Sequence, residues 1–464
     1  MKNFTITGKE FFGHFKEMHL KILKWNAFRT FIFTLLIFTG PLIFGQIVEK
    51  NQFIDGNAVQ NGMYLDWENL YNGQVPDNSV FSGIIFDDLF DPLRTVDKTF
   101  TQGSKDHNDI PAWTNTNSGP NDKTDIQQAA AFLYDGVIYF MGNLYAANGD
   151  ANIGFWFLQY ANPDTGDGVM VNGTGFTGQH VVGDLFVVAA FSGGGKIDNI
   201  AVYEWVGSGG DLPKPSLSLK ILIPPNVEGT PYSPYITAVV NTESITAPWA
   251  YHTKGVNGPT LMPALTFFEG YIDLKGLLND PNIDFELAGG NSPCFSSFFV
   301  NTRNSTSVDA SLNDFANGGF DVRPRVTLTA DPICEGDTQS RLEPTVNGGL
   351  KSNGDFLYQW SKDGIEIPAN EGGTASFYQV NEDAGSYVFK VEVTGLAIDG
   401  VGTCIGEDEV TVIISPSPEL DLDGTNLTCN GSSDGAIDLT VSSDFPPFKY
   451  EWETEDGVIP EGQE

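Results

Sequence analysis

The sequence predicts an all-β protein built from sandwiches, and three observations lead to this prediction. Short apolar runs without polar alternation recur through the first two thirds of the chain, as at residues 136–141 and 153–158. Strands that are buried on both faces of a sandwich show this pattern. Clusters of Gly, Asn and Asp separate the runs at frequent intervals, as at residues 162–168, and mark turns. Because helix signals are few, a sandwich or jelly roll is the expected architecture.

The N-terminus predicts a secretory leader. Basic residues precede an apolar run from Phe31 to Phe44, and a polar chain follows Gly45. This order of charged, apolar and small residues is typical of a signal peptide. A membrane anchor, the alternative, needs about 20 apolar residues, whereas this run is shorter and contains Pro41. We therefore predict a signal peptide at residues 1–45, cleaved after Gly45, with no transmembrane segment in the remaining chain.

Two domains are expected after the leader, a jelly-roll-like β-sandwich at residues 46–321 and a smaller unit at residues 323–415. In the smaller unit, Trp360 lies in a strand pattern that ends at a turn. Residues 382–388 contain the Asp-x-Gly-x-Tyr corner of immunoglobulin-like (Ig-like) sandwiches, in which the Tyr387 hydroxyl bonds to nearby backbone. Leu342 and Phe389 stand roughly where the cysteines between the two sheets would be. The smaller unit is therefore predicted to be Ig-like without the usual disulfide.

A short Pro-containing linker at residues 416–420 is predicted to precede the last segment, residues 421–464. This segment shows two short alternating strand patterns joined by turns. Two strands alone do not bury a stable core. We therefore expect an incomplete β repeat that continues in a longer natural protein, and we expect this segment to be poorly ordered by itself.

The last segment resembles a known repeat family. It contains Cys-Asn-Gly at residues 429–431 and Asp-Gly at 434–435, followed by Pro-Pro at 446–447 and Trp452. This order and spacing resembles the first half of an SprB-type repeat, which is found in very large surface adhesins of gliding bacteria. The resemblance implies export by the type IX secretion system, so that the secretion machinery is a partner. It also implies a protein secreted from, or held on the outer surface of, a Gram-negative bacterium.

Several runs of the first domain also resemble a family. Together they are similar to a jelly-roll-like N-terminal module of adhesin-type bacterial exoproteins, for which no activity is established. The runs are residues 103–106, 121–126, 148–157, 267–274 and 294–303. The resemblance implies a fold and a cell-surface context for residues 46–321, and it implies no chemistry.

Four cysteines follow the leader, and export allows them to be oxidised. Cys334 and Cys404 bracket the Ig-like unit, so we predict a disulfide between them that joins its first strand to its last. A loop of this length would stabilise the fold by about 4 kcal/mol. Cys294 is expected to be a buried free thiol. Cys429 is expected to be unpaired here, because the SprB resemblance implies a mate near the end of the repeat.

The charge balance excludes one class of partner and suggests another. The chain has 60 acidic and 24 basic residues, a formal net charge of −36. Such a chain repels phosphate backbones, so we do not expect nucleic-acid binding. Calcium is a candidate cofactor because oxygen-bearing side chains alternate at residues 148–152, although residues 153 and 159 depart from the EF-hand pattern. The candidate ligands are Asn148, Asp150, Asn152, Asp164 and Asp167. The alternative is that these side chains only cap turns.

The sequence contains no complete catalytic motif. A Gly-x-Ser-x-Gly elbow is absent. Glu269 and Asp273 are the nearest approach to a glycosidase carboxylate pair, but two carboxylates four residues apart are common in so acidic a chain. Exposed tryptophans could instead stack on sugar rings, and the candidates are Trp67, Trp113, Trp205 and Trp249, with burial in the core as the alternative.

These observations together predict a non-catalytic, secreted or cell-surface modular protein for adhesion or for binding a matrix component. An extracellular glycan or surface polymer is the expected partner. The alternative function is a secreted carbohydrate-active enzyme whose catalytic sandwich resembles a glycoside hydrolase and carries the Ig-like and repeat units as accessory modules.

Overall fold

The computed structural model describes residues 48–87, 97–101, 103–147, 151–163, 165–192, 196–211, 217–225, 233–251, 261–286, 292–336, 340–442, 450–454 and 457–458. The predicted signal peptide lies outside the described residues. Within the described ranges the fold is dominated by β-strands with a few short helices, which confirms the predicted all-β class.

Besides two 3₁₀ helices (Ile110–Ala112 and Asp122–Thr124), the first part of the chain contains three short α-helices and eighteen strands among its described residues. They are α1 (Lys50–Phe53), α2 (Trp67–Tyr71), β1 (Val80–Phe81), β2 (Ile85–Phe86), β3 (Thr99–Phe100), β4 (Asn115–Thr116), β5 (Ile126–Tyr134), β6 (Val137–Leu144), β7 (Ala151–Leu158), β8 (Met170–Asn172), β9 (Gly175–Thr177), β10 (Leu185–Ser192), β11 (Lys196–Trp205), β12 (Leu219–Ile223), β13 (Ile236–Val240), β14 (Ile245–Thr246), β15 (Leu261–Met262), β16 (Phe267–Asp273), α3 (Leu274–Leu278), β17 (Ser297–Arg303) and β18 (Leu312–Gly319).

Two antiparallel sheets form the first sandwich, the name used below for strands β1–β18. The smaller sheet has the order β1-β5-β6-β16-β13, with β2 also paired to β5. The larger sheet has the order β12-β11-β10-β7-β17-β18-β3-β4. Apolar side chains of both sheets meet in one central core, to which β5 contributes Leu133 and β7 contributes Phe155 and Phe157.

The outer face of each sheet is covered as well. Phe132 of β5 packs with Phe53 and Trp67 in a second core. Trp156 of β7 packs with Trp113 in a third. Successive residues of a strand point to opposite faces, so a strand with a core on each side is apolar without alternation. This explains the continuous apolar runs and confirms that these strands are buried on both faces.

The second part of the chain forms a second sandwich, the name used below for strands β19–β27. Its strands are β19 (Arg325–Thr327), β20 (Ile333–Cys334), β21 (Arg341–Leu342), β22 (Thr345–Asn347), β23 (Leu357–Lys362), β24 (Ile365–Glu366), β25 (Tyr378–Gln379), β26 (Gly385–Leu396) and β27 (Thr403–Ser415). The main sheet has the order β20-β27-β26-β23-β24, and the pairs β21-β25 and β19-β22 accompany it.

The predicted core residues and corner of the second sandwich are present. Trp360 is fully buried, and Leu342 and Phe389 lie in the same core. The Tyr387 hydroxyl donates a hydrogen bond of 3.1 Å to the Asp383 carbonyl oxygen, as expected of a tyrosine corner.

The last described strands form hairpins with exposed side chains. They are β28 (Glu419–Thr425), β29 (Ala436–Ser442), β30 (Glu453–Thr454) and β31 (Gly457–Val458). β28 pairs with β29 along its full length, and Leu420, Leu422 and Ile437 remain at least 60% exposed. Residues 416–418 separate β27 from β28. Trp452 is half-buried just before β30.

The predicted Cys334–Cys404 disulfide is wrong. Cys404 is instead bonded to Cys294, with their Cα atoms 5.6 Å apart, and Cys334 and Cys429 are free and exposed. The strand that contains Cys334 does pair with the last strand, because Cys334 lies opposite Ser415 in the parallel pair β20-β27. Cys404, however, lies near the other end of β27, about 35 Å away at the rise of an extended strand. A disulfide tolerates a Cα separation of about 7 Å at most.

Candidate functional site

The two sandwiches share a continuous core at their junction. Phe320 and Val322 lie at the end of the first sandwich and pack in its central core, and that core also contains Leu350 and Ile398 of the second sandwich. The Cys294–Cys404 disulfide crosses the same junction. In addition, the backbone N–H of Lys351 donates to the side-chain oxygen of Asn78 at 2.6 Å. The junction is therefore a packed and covalently closed interface.

A cavity of about 420 Å³ opens beside this junction. Its walls come from the turn after β7, from the connection between β18 and β19, and from β26 and β27. The polar lining residues are Asn162, Ser296, Asp321, Arg323, Arg325, Glu392 and Glu407. The volume lies in the range of small-molecule sites, which are clefts with a few converging polar groups.

Local structure holds the turn that forms one wall. The Gly166 N–H donates to the Asn162 carbonyl oxygen, and the Asn162 N–H donates to the Asp167 carbonyl oxygen, each at 2.7 Å. Gly166 has a φ of 69°, a left-handed conformation that glycine adopts without steric cost. The Asp167 carboxylate then pairs with the Arg325 guanidinium of the second sandwich. Backbone hydrogen bonds within the turn and an ion pair across the junction thus hold the turn in place.

Some charged groups of the cavity form ion pairs within the described chain, whereas one buried donor has no hydrogen-bond partner there. Burial raises the pKa of Asp321 to about 6, against the opposing effect of Arg325. Burial also lowers the pKa of Arg323, and its Nε atom has no hydrogen-bond partner within the described part of the chain. Lys390 pairs with Glu392 at 3.1 Å and with Glu407 at 2.7 Å. The cavity therefore offers both an N–H donor and carboxylate acceptors, a set that suits a ligand rich in hydroxyl groups.

The structure describes only two of the five predicted calcium ligands. Asn148, Asp150 and Asp164 lie outside the described residues. Asn152 lies in β7, and its side-chain amide donates to the Arg303 carbonyl oxygen at 3.4 Å. Asp167 is engaged by Arg325. A calcium site at these five positions remains a prediction.

The residues considered for sugar stacking and for catalysis have structural roles. Trp67, Trp113, Trp205 and Trp249 are each at most 7% exposed, so none of the four provides a surface platform. Glu269 is fully buried and accepts hydrogen bonds from the Gly56 N–H at 2.7 Å and from the Trp67 Nε1–H at 2.8 Å.

Asp273 accepts from the Gly276 N–H at 2.8 Å, at the start of α3, and pairs with Lys50. The two carboxylates of β16 thus serve different local contacts and do not form a catalytic pair.

One group of carboxylates that could hold a metal ion lies elsewhere. Asp87, Asp97 and Asp314 each place one carboxylate oxygen within 4.8 Å of the others. The sequence did not single them out, since more than two hundred positions separate Asp97 from Asp314 and each occurs in an ordinary turn or strand pattern.

Comparison with known proteins supports the prediction for the last segment. The SprB repeat family matches residues 423–457, within the predicted range. The chain is therefore modular, with two sandwiches followed by an SprB repeat, and the repeat indicates a cell-surface or secreted protein. Curated protein sequences give no match. In the described part of the chain, no helix has the length and apolar character needed to cross a membrane.

Two solved structures show limited similarity to the chain. Immunoglobulin domains 1–4 of Sidekick-1 share 9% identity, with 61% of this chain and 71% of that chain covered and a TM-score of 0.16. The N-terminal four Ig domains of Dscam1 isoform 7.44 also share 9% identity, with 63% and 81% covered and a TM-score of 0.17. Scores this low carry no argument about the present chain.

Proposed function

We propose that this protein is a non-catalytic adhesin-type surface protein that binds an extracellular glycan or surface polymer. The observation that carries the proposal is the SprB repeat at residues 423–457, because it follows two sandwiches in one modular chain. Export through the type IX system and a location on the outer surface of a Gram-negative bacterium belong to the same proposal. The net charge of −36 is consistent with an extracellular partner that is not a nucleic acid.

The cavity at the junction is the proposed contact for one or two sugar units. Its volume of about 420 Å³ accommodates a small ligand, and its polar groups include both donors and acceptors. The Arg323 Nε–H is the key donor, because it has no hydrogen-bond partner in the described chain and would donate to a hydroxyl oxygen of the ligand. Since both sandwiches line the cavity, their relative position would determine the specificity.

A binding experiment with a matched control tests this proposal. The labelled full chain is applied to a glycan array and to purified bacterial and algal polysaccharides. We expect binding to at least one polymer, and we expect Arg323→Gln to weaken it about tenfold or more, the loss of a charged hydrogen bond. Arg341→Gln is the control, because Arg341 is exposed in the second sandwich, pairs with Glu343 at 2.8 Å and does not line the cavity.

The same preparation separates adhesion from catalysis. If none of the sugars is bound, or if both variants bind like the wild type, the proposed contact is wrong. If the chain releases reducing ends from a polysaccharide that it binds, the alternative of a secreted carbohydrate-active enzyme replaces the adhesin.

A further inference from the structure

Three carboxylates from different parts of the first sandwich converge where its two sheets meet. Asp87 follows β2 in the smaller sheet, and its N–H donates to the Gln127 carbonyl oxygen of β5 at 3.0 Å. Asp97 precedes β3 in the larger sheet, and Asp314 lies in β18, which pairs with β3. One oxygen of each carboxylate lies within 4.8 Å of the others. The three residues are therefore brought together by the packing of the sheets.

Asp314 is the central member of this group and is fully buried. Its Oδ2 atom accepts a hydrogen bond of 2.7 Å from the Ile126 N–H, which fixes the carboxylate between the sheets. Its Oδ1 atom is buried and has no hydrogen-bond partner in the described part of the chain. A buried carboxylate oxygen without a partner is costly, so this atom indicates a ligand.

The surroundings of Asp314 make the cost larger. The carboxylates of Asp87, Asp97 and Asp125 lie close enough to Asp314 to interact with it electrostatically. Asp97 and Asp125 are themselves buried. Like charges at this distance in a medium of low dielectric constant repel strongly. A bound cation would relieve this repulsion.

The ligand atoms and their spacing fit one class of cation. Calcium takes oxygen ligands at about 2.3 to 2.6 Å, so two ligands on opposite sides of the ion are about 4.6 to 5.2 Å apart. The three oxygens lie within 4.8 Å of one another, an upper bound that a calcium coordination sphere satisfies. Magnesium demands near-ideal octahedral geometry and usually keeps several waters, so three carboxylates that converge from different strands suit calcium better. The described chain brings no sulfur or imidazole to the group, which disfavours zinc.

We propose that Asp87, Asp97 and Asp314 form a calcium site that cross-links the two sheets of the first sandwich. This site is distinct from the one that the sequence suggested at residues 148–167, and it does not depend on the adhesin function. Bound calcium would neutralise the buried carboxylates and hold β2 against β3 and β18. The folded state alone assembles the three ligands, so calcium would stabilise it.

The first test measures calcium binding and thermal unfolding of the full chain. The protein is freed of metal with a chelator and then titrated with calcium chloride, with equilibrium dialysis for stoichiometry. We expect a melting temperature that rises by about 5 to 10 °C at a hundredfold excess over Kd, and a smaller shift with magnesium. If calcium causes no shift, the proposal is wrong, and the carboxylates are neutralised by protons or by a basic side chain.

Single variants show whether the ion binds at this group. Asp314→Asn should abolish the calcium shift, and in chelator it should melt at or above the wild-type temperature because one repelling charge is gone. Asp97→Asn serves as a second variant in case Asp314→Asn fails to fold. The control is Asp77→Asn, since Asp77 is exposed. A calcium shift that survives in both site variants, or that disappears in Asp150→Asn instead, would refute the proposed site.

Discussion

At the scale of single residues, burial decides what the carboxylates of this chain can do. Asp66 begins α2, where its side chain accepts from the Trp67 N–H at 2.6 Å, and it is almost fully buried close to Glu269. Burial, and then the charges of Asp55 and Glu68, raise the pKa of Asp66 to about 8. Burial and the charge of Asp66 raise the pKa of Glu269 well above its usual range. This group holds protons at neutral pH and has no access to a substrate.

Asp66→Asn should therefore change how stability depends on pH. A folded-state pKa of about 8 exceeds the unfolded value near 4, so the wild-type stability contributed by this group is full below pH 4 and is lost as pH rises through 8. Asparagine caps helices equally well and carries no charge. We therefore expect the stability of Asp66→Asn relative to the wild type to rise by roughly 2 to 4 kcal/mol between pH 5 and pH 8.5.

Urea unfolding at the two pH values measures this difference, with the exposed Asp77→Asn as the control. A variant with the same pH slope as the wild type would show that Asp66 is ionised in the folded protein.

At the scale of elements, the paired strands β6 and β16 each place a glycine opposite an aromatic ring of the other strand. Gly142 lies opposite Phe268, and Gly270 lies opposite Phe140. A Cβ atom added to Gly142 would lie 2.3 Å from the Phe268 ring, and one added to Gly270 would lie 2.6 Å from the Phe140 ring. Each glycine thus leaves space for the aromatic ring on the neighbouring strand, and the two rings fill part of the central core.

Gly142→Ala and Gly270→Ala should each destabilise the first sandwich. Both side chains would force buried rings out of place, and overpacking of this kind costs about 1 to 3 kcal/mol. Gly424→Ala is the matched control, because Gly424 also lies in a strand and has no atom within 4 Å of the added Cβ. Chemical denaturation measures the three variants. Equal midpoints for Gly142→Ala and Gly424→Ala would mean that the Phe268 ring moves without cost.

At the scale of the whole molecule, the junction makes two sandwiches one packed body. The Cys294–Cys404 disulfide spans 110 residues and adjoins the core shared by Phe320 and Leu350. In the chain-entropy description, closing a loop of this length constrains the unfolded chain by about 4 to 5 kcal/mol. This cross-link also fixes the cavity that both sandwiches line.

Cys294→Ser combined with Cys404→Ser should lower the free energy of unfolding by about 2 to 5 kcal/mol. It should also expose the junction to protease. Peptide mapping without reduction provides the direct check, with one cystine peptide joining Cys294 to Cys404 and alkylation of Cys334 and Cys429. Recovery of a Cys334–Cys404 peptide would contradict the structure.

The sequence alone determined the features that depend on neighbouring residues. The buried strands, the inward Trp360, the tyrosine corner and the SprB repeat all follow from patterns a few residues long, because backbone geometry repeats over that distance. Tertiary structure decided the disulfide, since four cysteines allow several pairings and distance in space selects among them.

Tertiary structure also decided which polar and aromatic side chains are accessible to a ligand or close enough together to bind one. From the sequence, Trp113 and Trp249 were candidates for stacking on sugar rings, but the folded chain buries both side chains. Asp87, Asp97 and Asp314 carry no local signal and become a site only where two sheets meet. Burial and proximity are properties of the packed chain, and they set the pKa, the accessibility and the partners of each side chain.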